Sequence, residues 1–400
     1  MTNTNGIYES MLNLPSLRVD EVELSEHKVL ISCHTSSGSG LCPVCSHATT
    51  KVNQHTVHLI RDVNLAGREV MLQLRVKQYE CVECRRYFTE TPPFADLGKS
   101  YTHRLAKSMF DLSRQHSYTS AGEILNIHPK TVERAVLAYC KKAVEAELPV
   151  RYRQVRRLGI DELSNKKGKQ DFICVLTNLD TGEHLDLLED RNKSTLIAHF
   201  EGLGSAFCSQ ISDVSCDMWG PYIQVAQRCF PQANIVIDRF HATQAINKCL
   251  DALRKILRQG QPSQQAYKPL KWILYKRYHA LSDTQLDSLE EGFRASPQLK
   301  EVYWLREQFH HILENSGTHH IAKEALNKWV DKVENTQKEV FEPFIKTLKS
   351  KGDYILNYVR DYLSNAVTEG LNNLIRQIKR ASWGMPNFEN LRLRVLAFNL

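Results

Sequence analysis

Ile211-Ser-Asp-Val-Ser-Cys-Asp217-Met-Trp-Gly-Pro-Tyr222 reads as a short β-branched run that stops at Asp217 and breaks at Gly220-Pro221, with a helical pattern resuming from Tyr222. An acid that closes a strand lies at the rim of a sheet. Arg157-Leu-Gly-Ile-Asp161-Glu162 and Asn234-Ile-Val-Ile-Asp238-Arg239 have the same character, so several carboxylates can meet at one edge of one sheet. Clustered carboxylates repel unless a cation joins them. The pattern therefore predicts a divalent-metal site for phosphoryl chemistry.

The surrounding chain predicts the sheet. Strands over 157–162, 171–178 and 184–188 are separated by Asn165-Lys-Lys-Gly and Asp180-Thr-Gly turns, giving an antiparallel meander. A helix near 194–203, the strand ending at Asp217, a helix over 222–229 and the strand ending at Asp238 follow. A meander followed by β-α-β units is the order of an RNase H-like domain. Its first part is assigned to residues 151–245. An all-helical insertion follows over 246–355, and residues 356–400 form the last part.

Upstream, Cys42-Pro-Val-Cys45 and Cys81-Val-Glu-Cys84 are two C-x-x-C knuckles joined by alternating, strand-like runs. Thiolates are soft ligands, and two knuckles supply the tetrahedral set of a structural zinc ribbon. A redox pair is the competing reading, and the occurrence of two pairs favours zinc. Cys33, His34 and His47 are spare donors, read as bystanders. This zinc-ribbon domain covers 1–95.

Residues 96–150 hold a helix from about Thr102 to Gln115, a short helix, a tight turn at Asn126–His128 and a helix with Pro129 at its first position, where a missing N–H costs nothing. That is a helix-turn-helix. Its second helix presents Lys130, Thr131, Glu133 and Arg134 to a DNA major groove, while Val132 and Val136 hold it to the core. His128 takes the N-cap position, where Ser is commoner. The basic run Arg151-Tyr-Arg-Gln-Val-Arg156-Arg157 behind it favours DNA over a plain packing module.

The 400 residues carry a formal net charge of +7, a mild lean toward polyanions. No run of about 18 apolar residues is present, and the start lacks the basic-then-apolar pattern of a signal peptide. The expectation is a cytoplasmic, nucleoid-associated protein that does not enter a membrane. In a reducing compartment its 11 cysteines form no disulfide framework.

In the insertion, Lys248, Arg254, Lys255, Arg258, Lys268, Lys271, Lys276 and Arg277 make the first half basic, as either a phosphate track or a solvated face. Trp272, Tyr275, Tyr303 and Trp304 are chiefly core candidates, though one could stack on an unpaired base. In Ser364–Arg380, Val367, Leu371, Leu374, Ile375 and Ile378 share one helical face. Opposite lie Asn365, Glu369, Asn372, Asn373 and Arg376. Glu369 is the lone acid there, and from this segment alone a surface charge is an equal reading.

Two divalent cations about 3.5–4 Å apart can activate an attacking oxygen and stabilise the leaving oxygen of a phosphodiester. Asp161, Asp217 and Glu369 are the candidate ligands, with Asp238 and Glu162 as rivals. Asp213 and Asp171 suit the role less, since one lies early in its strand and the other begins one.

The two cysteine knuckles, the helix-turn-helix, Gly159-Ile-Asp161-Glu162, Ser215-Cys-Asp217-Met-Trp-Gly-Pro-Tyr222, Val236-Ile-Asp238-Arg-Phe-His241 and Ser364-Asn-Ala-Val-Thr-Glu369-Gly-Leu-Asn-Asn373 together resemble the ISL3 family of bacterial insertion-sequence transposases. The resemblance also takes in Leu281–Leu286 and Tyr303–Phe309. It implies that Asp161, Asp217 and Glu369 are a DDE triad binding Mg²⁺ or Mn²⁺, with Zn²⁺ structural in the ribbon. It further implies that the N-terminal modules recognise terminal inverted repeats and that the helical insert interrupts the RNase H-like core. It gives no role to Asp238 or His241. The function expected is cleavage at element ends and transfer of a 3′-hydroxyl to target DNA. Arg156, Arg157 and Arg376 add to the DNA contacts, and a homo-oligomer, at least a dimer, joins two ends. A DNA-binding regulator with an inert RNase H-like domain and a structure-selective nuclease are the alternatives. Neither a phosphate-binding G-x-x-x-x-G-K-[ST] nor a dinucleotide G-x-G-x-x-G after a strand is present.

Overall fold

The structure is a computed structural model that describes residues 4–164, 171–259, 267–363, 366–382, 385 and 387–399. The Asn165-Lys-Lys-Gly turn and Asn365 lie outside the described residues. The chain divides into two compact units, Met1–Ala146 with Arg376–Leu400, and Glu147–Ile375.

The first unit opens with helix α1 (Thr4–Leu12) and strands β1 (Leu17–Leu24) and β2 (Lys28–Thr35). The ribbon strands β3 (Gly40–Leu41) and β4 (Ala48–Thr49) precede the long hairpin β5 (Val52–Leu65) and β6 (Arg68–Glu80), and β7 (Tyr87–Thr89) closes the ribbon. The main sheet runs β1-β2-β6-β5, with β2 and β6 parallel and β7 paired to β6. Alternate residues of β2 and β6 point inward, so Val29, Ile31, Val70, Leu72 and Leu74 form one apolar layer. Gly40 passes over the ring of Tyr79, where a Cβ would sit 2.6 Å from a ring carbon.

Helices α2 (His103–Ser113), α3 (Tyr118–Leu125) and α4 (Pro129–Gln154) follow. Thr102 Oγ1 and Arg104 Nε donate to Asp62 Oδ1 at 2.7 and 2.8 Å, which anchors α2 to β5 through a fully buried carboxylate. Ser117 caps α3, and Asn126 ends it in the left-handed region at φ 53°. Gly122 allows the close return of the chain, since a Cβ there would lie 2.5 Å from the Ile127 carbonyl oxygen. The expected N-cap is present: His128 Nδ1 accepts from Lys130 N at 3.2 Å. Val132 and Val136 are buried, whereas Lys130 and Arg134 are exposed and Thr131 is half-buried.

By contacts, Arg376–Leu400 groups with Met1–Ala146. Within that group Arg394, 4% exposed, donates to the Ser113 carbonyl and lies over the Tyr118 ring.

The second unit is built on strands β8 (Arg157–Ser164), β9 (Phe172–Asn178), β10 (Glu183–Leu188), β11 (Asp213–Cys216) and β12 (Asn234–Ile237), in the order β10-β9-β8-β11-β12. β8, β9 and β10 are antiparallel neighbours; β11 runs parallel to both β8 and β12. Helices α5 (Lys193–Leu203), α6 (Ser205–Gln210) and α7 (Gly220–Cys229) pack with the sheet through Phe200, Phe207 and Phe230. The helix expected to resume at Tyr222 starts two residues earlier. Pro221 falls in its first turn, where no N–H is needed.

From α8 (Arg239–Gln259) to Asp361 the described chain is helical apart from short connections. Its core is tied by Arg306, 1% exposed, which donates to Asn247 Oδ1 and to the carbonyls of Tyr275 and Lys276. The basic stretch, read as either a phosphate track or a solvated face, is partly internal. Arg254 is buried against Asp251, and Arg277 is held by Glu307 and Glu314. Tyr303 is core, while Trp272 is exposed and Trp304 is half-exposed. The helix Lys338–Leu356 returns to the sheet: Lys351 Nζ donates to the Met218 carbonyl at 2.6 Å, and Asn357 Nδ2 to that of Ile235 at 2.8 Å. None of the helices is long and apolar enough to cross a membrane, among the described residues.

Candidate metal and active sites

Each cysteine knuckle is a tight turn with one left-handed residue, Ser46 or Arg85, at φ 59°. Cys42 N donates to the His47 carbonyl and Cys81 N to that of Arg86, both at 2.9 Å, so the two knuckles repeat one geometry. The sulfurs lie 3.6 Å (Cys42–Cys84), 3.5 Å (Cys45–Cys81) and 3.7 Å (Cys45–Cys84) apart. Thiolates about 2.3 Å from one zinc in a tetrahedron stand about 3.8 Å from each other, so the set fits the ion. The N–H groups of Cys45 and Val44 lower the Cys42 thiol, while burial and the neighbouring sulfurs raise Cys45 and Cys84, so the four do not ionise together without a cation among them. Cys33 is buried in the sheet core, and His34 Nδ1 lies 2.9 Å from Asp20. Neither joins the four thiols.

In the second unit, strand register decides which acids stand level. Cys216 pairs with Ile160 on one side and Ile237 on the other. Asp217, Asp161 and Asp238 are each the next residue, so the three lie at one height across adjacent strands. Asp161 is not the strand end that the sequence suggests, since β8 continues to Ser164. It reaches the rim because β11 stops beside it.

Asp217 and Asp238 are held alike, each by the N–H two residues on, and Asp161 differently. Asp161 Oδ1 accepts from Glu162 N at 2.8 Å, and its Oδ2 accepts from Asn372 Nδ2 at 2.8 Å. Burial pushes the Asp161 carboxyl above its usual range; the Glu162 N–H, His241 and the Asn372 amide oppose this, and the charge of Asp217 adds to it. Asp217 Oδ1 accepts from Trp219 N at 2.6 Å, fixing the turn into α7. Asp238 caps α8, its Oδ1 accepting from Phe240 N at 3.1 Å. Glu162 is engaged by Arg191, whose guanidinium stacks on Phe172 at 4.1 Å and on Trp219 at 4.5 Å. Asp213 sits at the opposite end of its strand, level with Arg157.

Glu369 is exposed on the helix Ala366–Ala381, one turn before Asn372. Among the described residues the four thiols form the one ligand set with all donor atoms within 4.8 Å of each other; Asp161, Asp217 and Glu369 are not gathered that closely. Asp161 and Asp217 share a rim, and the helix that carries Glu369 touches Asp161 through Asn372. The donors there are hard oxygens, and the buried Asn372 Oδ1 has no hydrogen-bond partner among the described residues. That set suits a divalent cation such as Mg²⁺.

The basic candidates are dispersed. Arg157 pairs with Asp180 at 2.5 Å at the far end of β8 from Asp161, and Arg156 and Arg376 are exposed.

The ISL3 transposase domain model matches residues 158–395. The chain belongs to the ISL3 family of transposases. A second model, the zinc-finger of transposase IS204/IS1001/IS1096/IS1165, matches residues 39–84 and spans both knuckles. The transposase for insertion sequence element IS1001 of Bordetella parapertussis is 25% identical over 362 residues, covering 89% of this chain and 88% of that protein. The transposase for IS1557 of Mycobacterium tuberculosis (strain CDC 1551 / Oshkosh) is 26% identical over 319 residues, covering 73% and 70%. The family match therefore takes in the strand acids, the helical insertion and the Glu369 helix.

Sequence reasoning missed two residues of the site. Asn372 is placed on the polar face with Glu369 but given no role, yet it is 4% exposed and bonded to Asp161, and Arg191 lies outside every motif. The spacing of Asn372 one turn from Glu369 is the signal that could have found the first.

Proposed function

We propose that this chain is a DDE transposase that binds the terminal inverted repeats of its element, cleaves the phosphodiester bond at each end and transfers the exposed 3′-hydroxyl to target DNA. The observation that carries the reading is the register that sets Asp161 level with Asp217, together with the Asn372 bond that brings the Glu369 helix to Asp161. The sheet order and its mixed directions support an RNase H-like core. Asp161, Asp217 and Glu369 would hold Mg²⁺ or Mn²⁺, which when bound activates the attacking oxygen and neutralises charge on the leaving one. The protein's own part is positional. Trp219 N and Glu162 N orient the two aspartates, and Arg191 braces the turn that carries Asp217. Lys130, Thr131 and Arg134 on α4, in a helix-turn-helix, would read the repeat, with the zinc ribbon beside it in sequence. Arg156, Arg157 and Arg376 would add phosphate contacts. Engagement of two ends calls for at least a dimer.

The test is Asp161→Ala, Asp217→Ala and Glu369→Ala on a duplex carrying the terminal repeat. Each should lose Mg²⁺-dependent nicking, by several orders of magnitude, while repeat binding survives. Full cleavage by Glu369→Ala would remove it from the triad. A wild-type chain that binds the repeat but never nicks it with Mg²⁺ or Mn²⁺ would be an inert regulator. Cleavage without joining of supplied 3′-hydroxyl ends would make it a nuclease.

A further inference from the structure

We propose that Asn372 is a positioning residue of the catalytic metal site, orienting Asp161 through its amide N–H and turning its carbonyl oxygen toward the cation or a water bound to it. The inference rests on the reading of Asp161 as a metal ligand. Asn372 is 4% exposed, and its Nδ2 donates to Asp161 Oδ2 at 2.8 Å across 211 positions of sequence. A carboxamide offers both donor and acceptor. Here the donor is used and the acceptor is not, since Oδ1 is buried without a partner among the described residues. A buried acceptor left unpaired is costly, and native proteins retain such groups where another ligand satisfies them. Divalent magnesium, manganese and calcium accept amide carbonyl oxygens as hard ligands.

Charge explains why an amide suits this position. Asp161 is half-buried, and its negative charge is already opposed by that of Asp217. A third carboxylate in contact with Asp161 would repel it, whereas an amide donates to it and still presents an oxygen. The position on the helix explains the rest. Asn372 lies one turn after Glu369, so its bond to Asp161 fixes how far the Glu369 backbone stands from the strand acids. A plain packing amide would join the helix to β8 equally well in the presence or absence of cation. A positioning amide also changes how well the cation binds.

Calorimetric titration of the full, zinc-loaded chain with Mn²⁺, without DNA, separates the two. Asp161→Ala should abolish the Mn²⁺ binding seen in the wild type. Asn372→Ala should weaken it roughly 10–100-fold, as loss of partners behind metal ligands does, with zinc content and circular dichroism unchanged. Asn372→Asp should lower the melting temperature without ion and regain it with millimolar Mn²⁺, by more than the wild type gains, because a cation relieves the added repulsion. If Asn372→Ala fails to fold, the Mn²⁺ recovery of Asn372→Asp decides alone. Wild-type Mn²⁺ affinity in Asn372→Ala, or an Asn372→Asp loss that Mn²⁺ does not restore, would overturn the assignment while the Asp161 site stands. A wild-type chain that binds no Mn²⁺ through Asp161 overturns both.

Discussion

Acidification should weaken the Glu147–Ile375 unit through His310, a side chain 4% exposed in the helix Pro297–Asn315. Burial, and then the positive charges of Arg306, Arg277 and Arg239, hold its pKa down at about 3 against an ordinary 6.5. The folded-state value is the lower one, so the unfolded chain takes up the proton first. The stability this represents is complete above about pH 6.5 and is lost as pH falls toward 3. Linkage makes the loss about 2 kcal/mol at pH 5 and about 3 kcal/mol at pH 4. His184, held to about 4 by burial and then by Arg151, acts in the same direction. A comparison that removes only His310 isolates its share. Urea unfolding of wild type and His310→Gln, followed by the fluorescence of Trp329 packed on Phe309, should show the wild type losing about 2 kcal/mol more than the variant between pH 7 and pH 5. Equal losses in the two proteins would mean that His310 takes up its proton equally in the folded and the unfolded chain, and would refute the reasoning.

Three further outcomes follow from the first unit. Arg104→Ala strands the buried Asp62 carboxylate and should cost about 3–5 kcal/mol, read as a lower urea midpoint for this unit. Gly122→Ala drives a Cβ to 2.5 Å from a backbone oxygen, so about 1–3 kcal/mol should be lost, and repeat binding with it; an unchanged midpoint would show that the turn can open without cost. Metal analysis should find a single zinc per chain, absent from Cys45→Ser, and its chelation should weaken repeat binding if the ribbon contributes there.

The sheet was legible because its strands are short apolar runs bounded by turn residues, and because pairing register then leaves little freedom. The four thiols were legible for a related reason: ligand spacing is a local property. What escaped reading were positions whose burial is decided by distant chain. Val367 has helical spacing for the core yet is 44% exposed, while Thr368 and Asn372 are buried. On this helix the polar edge turns toward the sheet at the site, so apolar periodicity marks the inward face only roughly. The basic run of the insertion, read as a phosphate track or a solvated face, holds cations that are neither. Arg254 pairs with Asp251 at i,i+3, a spacing the sequence does show, whereas the partners of Arg277, Glu307 and Glu314, lie 30 and 37 positions away and carry no signal of that pairing.

The placement of Glu369 depends on the insertion more than on its own helix. More than two hundred positions separate Asp161 from Asn372, and a flexible tether of that length would leave the late helix unlocated. The intervening helices instead form one core with the sheet, centred on Arg306, Phe309, Trp329 and Phe344. Their last long member returns to the strand ends through Lys351 on the Met218 carbonyl and Asn357 on that of Ile235. Both contacts lie within two residues of a rim aspartate or on the strand leading to one. The insertion thus delivers the chain to the carboxylate edge before the Glu369 helix begins. Loosening that delivery, as Lys351→Ala would, should therefore disturb the site without touching any carboxylate.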